Sequence, residues 1–86
     1  MYKLVISRVA EKQIEALPKQ VANSITHKID LLQSDPRPDG CKKLQGNENA
    51  YRVRCGDYRI IYRVEDKKLI IEVIRIGNRK DVYKKR

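Results

Sequence analysis

Apolar residues recur with two different periods along this chain, and the change of period divides it. Tyr2 to Ile6 (YKLVI) is mostly apolar and β-prone, which predicts a strand, and Ser7 follows where a helix N-cap would stand. Val9, Gln13, Ala16 and Leu17 then mark one face of a short helix. Pro18 either ends that helix or opens the next as its first-turn residue. Beyond it Val21, Ile25, Ile29 and Leu32 recur at i, i+4, i+8 and i+11, the clearest helical stripe in the sequence. The stripe stops at Ser34 to Gly40 (SDPRPDG), where two prolines fix φ and withdraw backbone donors and a glycine admits conformations closed to other residues.

After Lys42 to Gly46 (KKLQG) the period falls to two. Ala50 to Cys55, Tyr58 to Val64 and Leu69 to Gly77 read as strands, joined by Gly56-Asp57 and by Glu65 to Lys68. Alternation puts Tyr51, Val53 and Cys55 on one face and Arg52 and Arg54 on the other; across the turn Tyr58, Ile60 and Tyr62 oppose Arg59, Ile61 and Arg63. If helices pack on the Val53 and Ile60 face, the arginines are left together on the open one. The last strand, LIIEVIRIG, is apolar almost throughout, as expected of a central strand covered on both faces. The expected fold class is α+β in the order β-α-α-β-β-β, with two N-terminal helices packed on a small, mainly antiparallel sheet and residues 1–86 forming a single domain.

Charge changes this picture more than size does. A chain of 86 residues buries only about 60 to 65% of its unfolded surface, so its stability is marginal and a partner that holds it folded is no surprise. Lys and Arg number 20 against 11 Asp and Glu, a net charge of +9, which favours nucleic acid, an anionic membrane surface or an acidic protein as partner. A hydrophobic share of 41% excludes a disordered chain. With no apolar run long enough for a signal peptide or a membrane span, a soluble cytoplasmic protein without membrane attachment is expected.

Several chemistries fall away. Cys41 and Cys55 lie 14 positions apart, without CxxC spacing, and read as reduced thiols. The single histidine, His27, sits inside the second helix, so neither a metal centre nor a histidine-based nucleophile is expected. The glycines are scattered singly, which leaves no phosphate loop and no cofactor.

What remains is the arginine face. Facing side chains on paired strands come within about 5 Å, so Arg52, Arg54 and Arg59 repel one another unless an anion sits between them. Asp57, Glu65 and Asp66 occupy the turns, and no acid lies within Arg52 to Cys55 or Tyr58 to Val64. Two readings are open: a solvated face using the long arginine stem, or a phosphate-binding surface. The tail favours the second. Gly77 ends the strand and leads into Asn78-Arg79-Lys80-Asp81-Val82-Tyr83, offering a guanidinium fork to a phosphate and a ring on which a base can stack. Stacking is worth roughly 1 to 3 kcal/mol per base, and the combination suits single-stranded RNA better than a duplex, although Tyr83 could equally pack the sheet end.

The pattern LxGxxxxYRVRxGDYRIIYRV, followed by an apolar strand and IGNRKDVY, resembles the RelE branch of the RelE/ParE toxin superfamily over the whole chain. The resemblance implies a ribosome-dependent endoribonuclease that cleaves messenger RNA in the decoding site, held inactive in a hetero-oligomer by a RelB-like antitoxin, acidic where it covers the arginines. It implies Arg52, Arg54, Arg59, Arg79 and Tyr83 as the catalytic set, without a metal. Arg59 and Arg79 then contact the scissile phosphate and Tyr83 orients the nucleotide. Lys42, Lys43, Arg63, Lys80 and Lys84 are the expected contacts to RNA and ribosome. Asn78 stands where many relatives have histidine. The ParE branch, which shares the fold but inhibits DNA gyrase without cutting RNA, is one alternative, and a non-catalytic RNA-binding module is the other.

Overall fold

Strand β1 (Lys3–Ile6) runs directly into helix α1 (Arg8–Glu15) in the computed structural model, which describes residues 1–46 and 49–78. Ser7 makes the junction. Its backbone is extended and its Oγ accepts a hydrogen bond from the Ala10 N–H at 3.1 Å, so one of the orphan donors of the first turn is satisfied. Pro18 falls between the helices. It occupies the cap position of α2 (Lys19–Leu32), with its carbonyl accepting from the Ala22 N–H, so it belongs to the start of the second helix.

Four further strands follow: β2 (Lys42–Lys43), β3 (Ala50–Cys55), β4 (Tyr58–Glu65) and β5 (Ile70–Asn78). The sheet order is β1-β5-β4-β3-β2, with β1 and β5 parallel and every other pair antiparallel. The expected α+β architecture is therefore present. β2 is an addition to the expected order, a two-residue edge strand of exposed lysines with too little apolar pattern to announce itself.

One contiguous core joins Ala10, Ile25, Ile29 and Leu32 of the helices to Val53, Ile60, Tyr62, Val64, Ile71, Val73 and Ile76 of the sheet. Burying each of the larger aliphatic side chains contributes about 1.5 to 3 kcal/mol. On α1 the packed face is rotated from the expected one: Val9 is 58% exposed and Ala16 is exposed, while Ala10, Ile14 and Leu17 meet the core. Two turns of helix leave its phase poorly specified by sequence.

β5 lies between β1 and β4 as expected of a central strand, but it is covered on one face only. Ile71, Val73 and Ile76 are buried, whereas Ile70 and Ile74 on the other side are half-exposed. Its register against β4 also slips. Ile61 pairs with Arg75 and Tyr62 with Val73, so Ile74 is an extra residue, a β-bulge. Helix α1 stabilises that irregularity: Ser7 Oγ donates to the Ile74 carbonyl at 2.6 Å, and Gln13 Oε1 accepts from the Ile76 N–H at 2.7 Å.

Candidate active site

Strand register assembles the cations. Lys42 pairs with Arg52, Arg52 with Ile61, and Ile61 with Arg75. One step nearer the hairpin turn, Arg54 pairs with Arg59, and Arg59 with Gly77, which supplies no side chain. Paired residues share a face, and alternation along each strand puts both rows on the side opposite the helices. Gly56, the first residue of the connecting two-residue turn, has φ +62°, a conformation glycine adopts without cost.

Lys42, Arg52, Arg54 and Arg59, with Gly40 and Val53, line one open cleft of about 150 Å³. Arg52 and Arg59 are half-buried and Arg54 is exposed. Among the described residues no carboxylate pairs with Lys42, Arg52 or Arg54. Arg54 makes only a long contact from its Nε to the Gly56 carbonyl, 3.5 Å.

The remaining expected residues divide. Lys43 pairs with Tyr51, whose ring stacks on the buried Tyr62, so register puts Lys43 on the helix face and out of the cleft. Arg63 already has an anion: its Nη2 lies 3.0 Å from Glu72 Oε1 on the exposed sheet surface. Arg79, Lys80, Tyr83 and Lys84 lie outside the described residues; β5 ends at Asn78, opposite Tyr58 at the cleft end of the sheet. His27 is exposed on α2, both cysteines are free and half-buried, and the described residues contain no cluster of three or more potential metal ligands.

Arg75 was not anticipated. In strict alternation it would share the core face with Ile71 and Val73; the bulge turns it onto the cationic face instead, where it is exposed. The signal in the sequence was the charge itself. An arginine at a parity that would bury it points to a bulge in the strand.

A clamp at the far end of the sheet fixes the loop that leads to the cleft. Arg37 reaches Asp66 with Nη2 at 2.8 Å from Oδ2, donates from Nε to the Tyr51 hydroxyl at 3.0 Å, and lies over the Tyr51 ring. Tyr2 donates to Asp66 Oδ1 at 2.7 Å. These bonds from Arg37 and then Tyr2 hold the Asp66 carboxyl below its ordinary range, and the bond to Asp66 in turn raises the Tyr2 phenol. Beneath them Tyr62 is fully buried, which pushes its phenol well above the ordinary value, and its hydroxyl donates to the Pro36 carbonyl at 2.6 Å. The loop so held delivers Gly40 and Lys42 to the cleft.

Chemically, the cleft is a concentration of cations able to hold a phosphate and to oppose charge growing on it. A guanidinium presents donors and no acceptor, so these side chains are poor bases.

Residues 4–83 match the model of the ParE toxin of type II toxin-antitoxin systems, parDE. The mRNA interferase toxin RelE of Escherichia coli K12 is 30% identical over 86 residues, covering 95% of this chain and 90% of that protein. Among solved structures, the archaeal RelE-RelB complex from Pyrococcus horikoshii OT3 superposes with a TM-score of 0.83 at 30% identity, covering 93% of this chain and 97% of that one. The intact Escherichia coli RelBE toxin-antitoxin complex gives 0.79 at 28% identity, covering 91% and 96%.

Proposed function

The chain belongs to the ParE toxin family of type II toxin-antitoxin systems and is RelE-like within it, and from that premise we propose that it is a ribosome-dependent endoribonuclease cutting messenger RNA in the decoding site. The observation that carries the reading is the cleft lined by Lys42, Arg52, Arg54 and Arg59.

In this reaction the 2′-oxygen attacks the adjacent phosphorus, the 2′-oxygen–phosphorus bond forms, the phosphorus–5′-oxygen bond breaks, and a proton passes from the 2′-hydroxyl to a base while another reaches the leaving oxygen. The arginines serve the middle of this sequence. Fixed cations around the pentavalent, doubly charged phosphorane lower its energy more than that of the singly charged diester, and removing one such group typically costs about 10² to 10³ in rate. Arg54 and Arg59 from the hairpin, with Arg79 from the tail, take this role; Arg52 supports it and Tyr83 stacks on the nucleotide. Among the described residues of the cleft, proton transfer is the unserved step, because the arginines cannot easily accept one. The ribosome is therefore assigned the positioning of the 2′-hydroxyl, and RNA free of ribosomes is expected to be cut poorly.

The same charge defines the partners. Lys42 of the cleft engages ribosomal or messenger phosphates, Lys43, Lys80 and Lys84 are further proposed contacts, and Arg63 contributes less because Glu72 already neutralises it. A RelB-like antitoxin, acidic where it crosses the arginines, forms a hetero-oligomer with the toxin. No helix among the described residues is long and apolar enough to cross a membrane, and the proposed site of action is the cytoplasm.

The test is to incubate the purified protein with programmed ribosomes and map new 5′ ends on the messenger. Cuts in the decoding site that vanish with Arg59→Ala or Arg79→Ala are expected. Intact messenger accompanied by growth arrest would overturn the nuclease reading in favour of ParE-like gyrase inhibition.

A further inference from the structure

Arg75 is an exposed cation set on a rigid frame. The backbone on either side of it is anchored to α1, through Ser7 Oγ to the Ile74 carbonyl and through the Ile76 N–H to Gln13 Oε1. No carboxylate among the described residues pairs with it; Glu72, the acid of the same strand, is engaged by Arg63. It lies outside the cleft described above, because the cleft is lined from β2, β3 and β4. Between Arg75 and Arg52 in the same row stands only Ile61, half-buried and apolar.

We propose that Arg75 and Arg52, flanking Ile61, form a second phosphate-binding subsite for single-stranded RNA, one nucleotide removed from the Arg54–Arg59 row; this rests on the nuclease reading. Strands about 4.8 Å apart put the Cα atoms of Arg52 and Arg75 roughly 10 Å from each other. Two arginine side chains span that gap and meet on one anion above Ile61, whose apolar surface leaves no competing group on the floor of the subsite. Along the strands, the two cationic rows are two residues apart, about 6.7 Å, on the order of one nucleotide of an extended strand. Successive phosphates therefore match successive rows. A bulge sacrifices ladder hydrogen bonds, and here its effect is to transfer a cation from the core side to this face.

Uncleavable 2′-O-methyl oligonucleotides of two to five residues, titrated at low salt and followed by NMR, test the subsite without any need for catalysis. For the unaltered protein, affinity should rise about tenfold when a second phosphate becomes available. In Arg75→Ala that increment should disappear, and the salt dependence for the longer oligonucleotides should weaken by a slope of about 0.7, the loss of one phosphate contact on a single strand. Arg75→Lys, which keeps the charge, should restore the slope. An unchanged length dependence in Arg75→Ala overturns the proposal, as does equal weakening at every length, which would mark a structural role. If the unaltered protein shows no gain from the second phosphate, or binds no oligonucleotide of any length, the subsite is refuted; the nuclease reading falls separately, if messenger stays intact on programmed ribosomes.

Discussion

Arg54 and Arg59 face each other across adjacent strands with no intervening acid in the register. Like charges directly opposed in a sheet weaken it, and Arg54, whose contact to the Gly56 carbonyl is long at 3.5 Å, adds little to folding in return. Arg54→Ala should therefore leave the protein as stable or more stable by up to about 1 kcal/mol in urea denaturation, while messenger cleavage on ribosomes falls about 10²- to 10³-fold. Loss of stability together with activity would show the pair to be structural. Tyr62 behaves oppositely: fully buried, with its hydroxyl bound to the Pro36 carbonyl, it serves the fold. Tyr62→Phe should cost about 1 to 3 kcal/mol in the same denaturation experiment, because a carbonyl of the loop loses its donor.

At the level of elements, the segment from Ser7 through α1 does more than cover the sheet. Ser7 caps the helix and bonds Ile74, and Gln13 satisfies the Ile76 N–H beyond the point where pairing with β1 ends at Val73. Gln13→Ala should destabilise the protein by about 1 to 3 kcal/mol, and hydrogen exchange should show the Ile76 amide losing protection before the rest of β5. The sequence identified both helices and three of the four later strands, because Ile25, Ile29 and Leu32 repeat at helical spacing and Val53, Ile60 and Tyr62 alternate cleanly. It did not give the phase of α1, where Val9 looked like a core residue and Ala10 is one. Nor did it give β2, which exists because Lys42 and Lys43 meet an edge already ordered by β3.

For the whole molecule, the clamp of Arg37, Asp66, Tyr2 and Tyr51 ties the loop between α2 and β2 to the sheet. Asp66 has its folded pKa lowered, so it binds protons less readily in the folded state than in the unfolded chain. Its stabilising contribution is complete above the unfolded carboxylate value of about 4 and is lost as pH falls through the lower folded value. Acid denaturation of Asp66→Asn should accordingly show a shallower loss of stability below about pH 4 than the unaltered protein. The net charge of +9 acts at the same scale. If about six phosphates are contacted, association with ribosomes should weaken roughly a thousandfold between 50 and 200 mM salt, measured by sedimentation.

Sequence alone determined the two-faced hairpin, since a period of two forces Arg52, Arg54 and Arg59 away from Val53 and Ile60 wherever the strands lie. It also determined the cationic character, which belongs to composition. Tertiary structure decided which cations meet. Lys42 reaches Arg52 only through a pairing between residues ten apart in sequence, and Arg63 leaves the set because β5 brings Glu72 beside it. Arg75 enters because a bulge, held by side chains of a helix more than sixty residues earlier, changes the parity of its strand. Periodicity is local and can be read along a chain; register and bulges are set by what each strand meets.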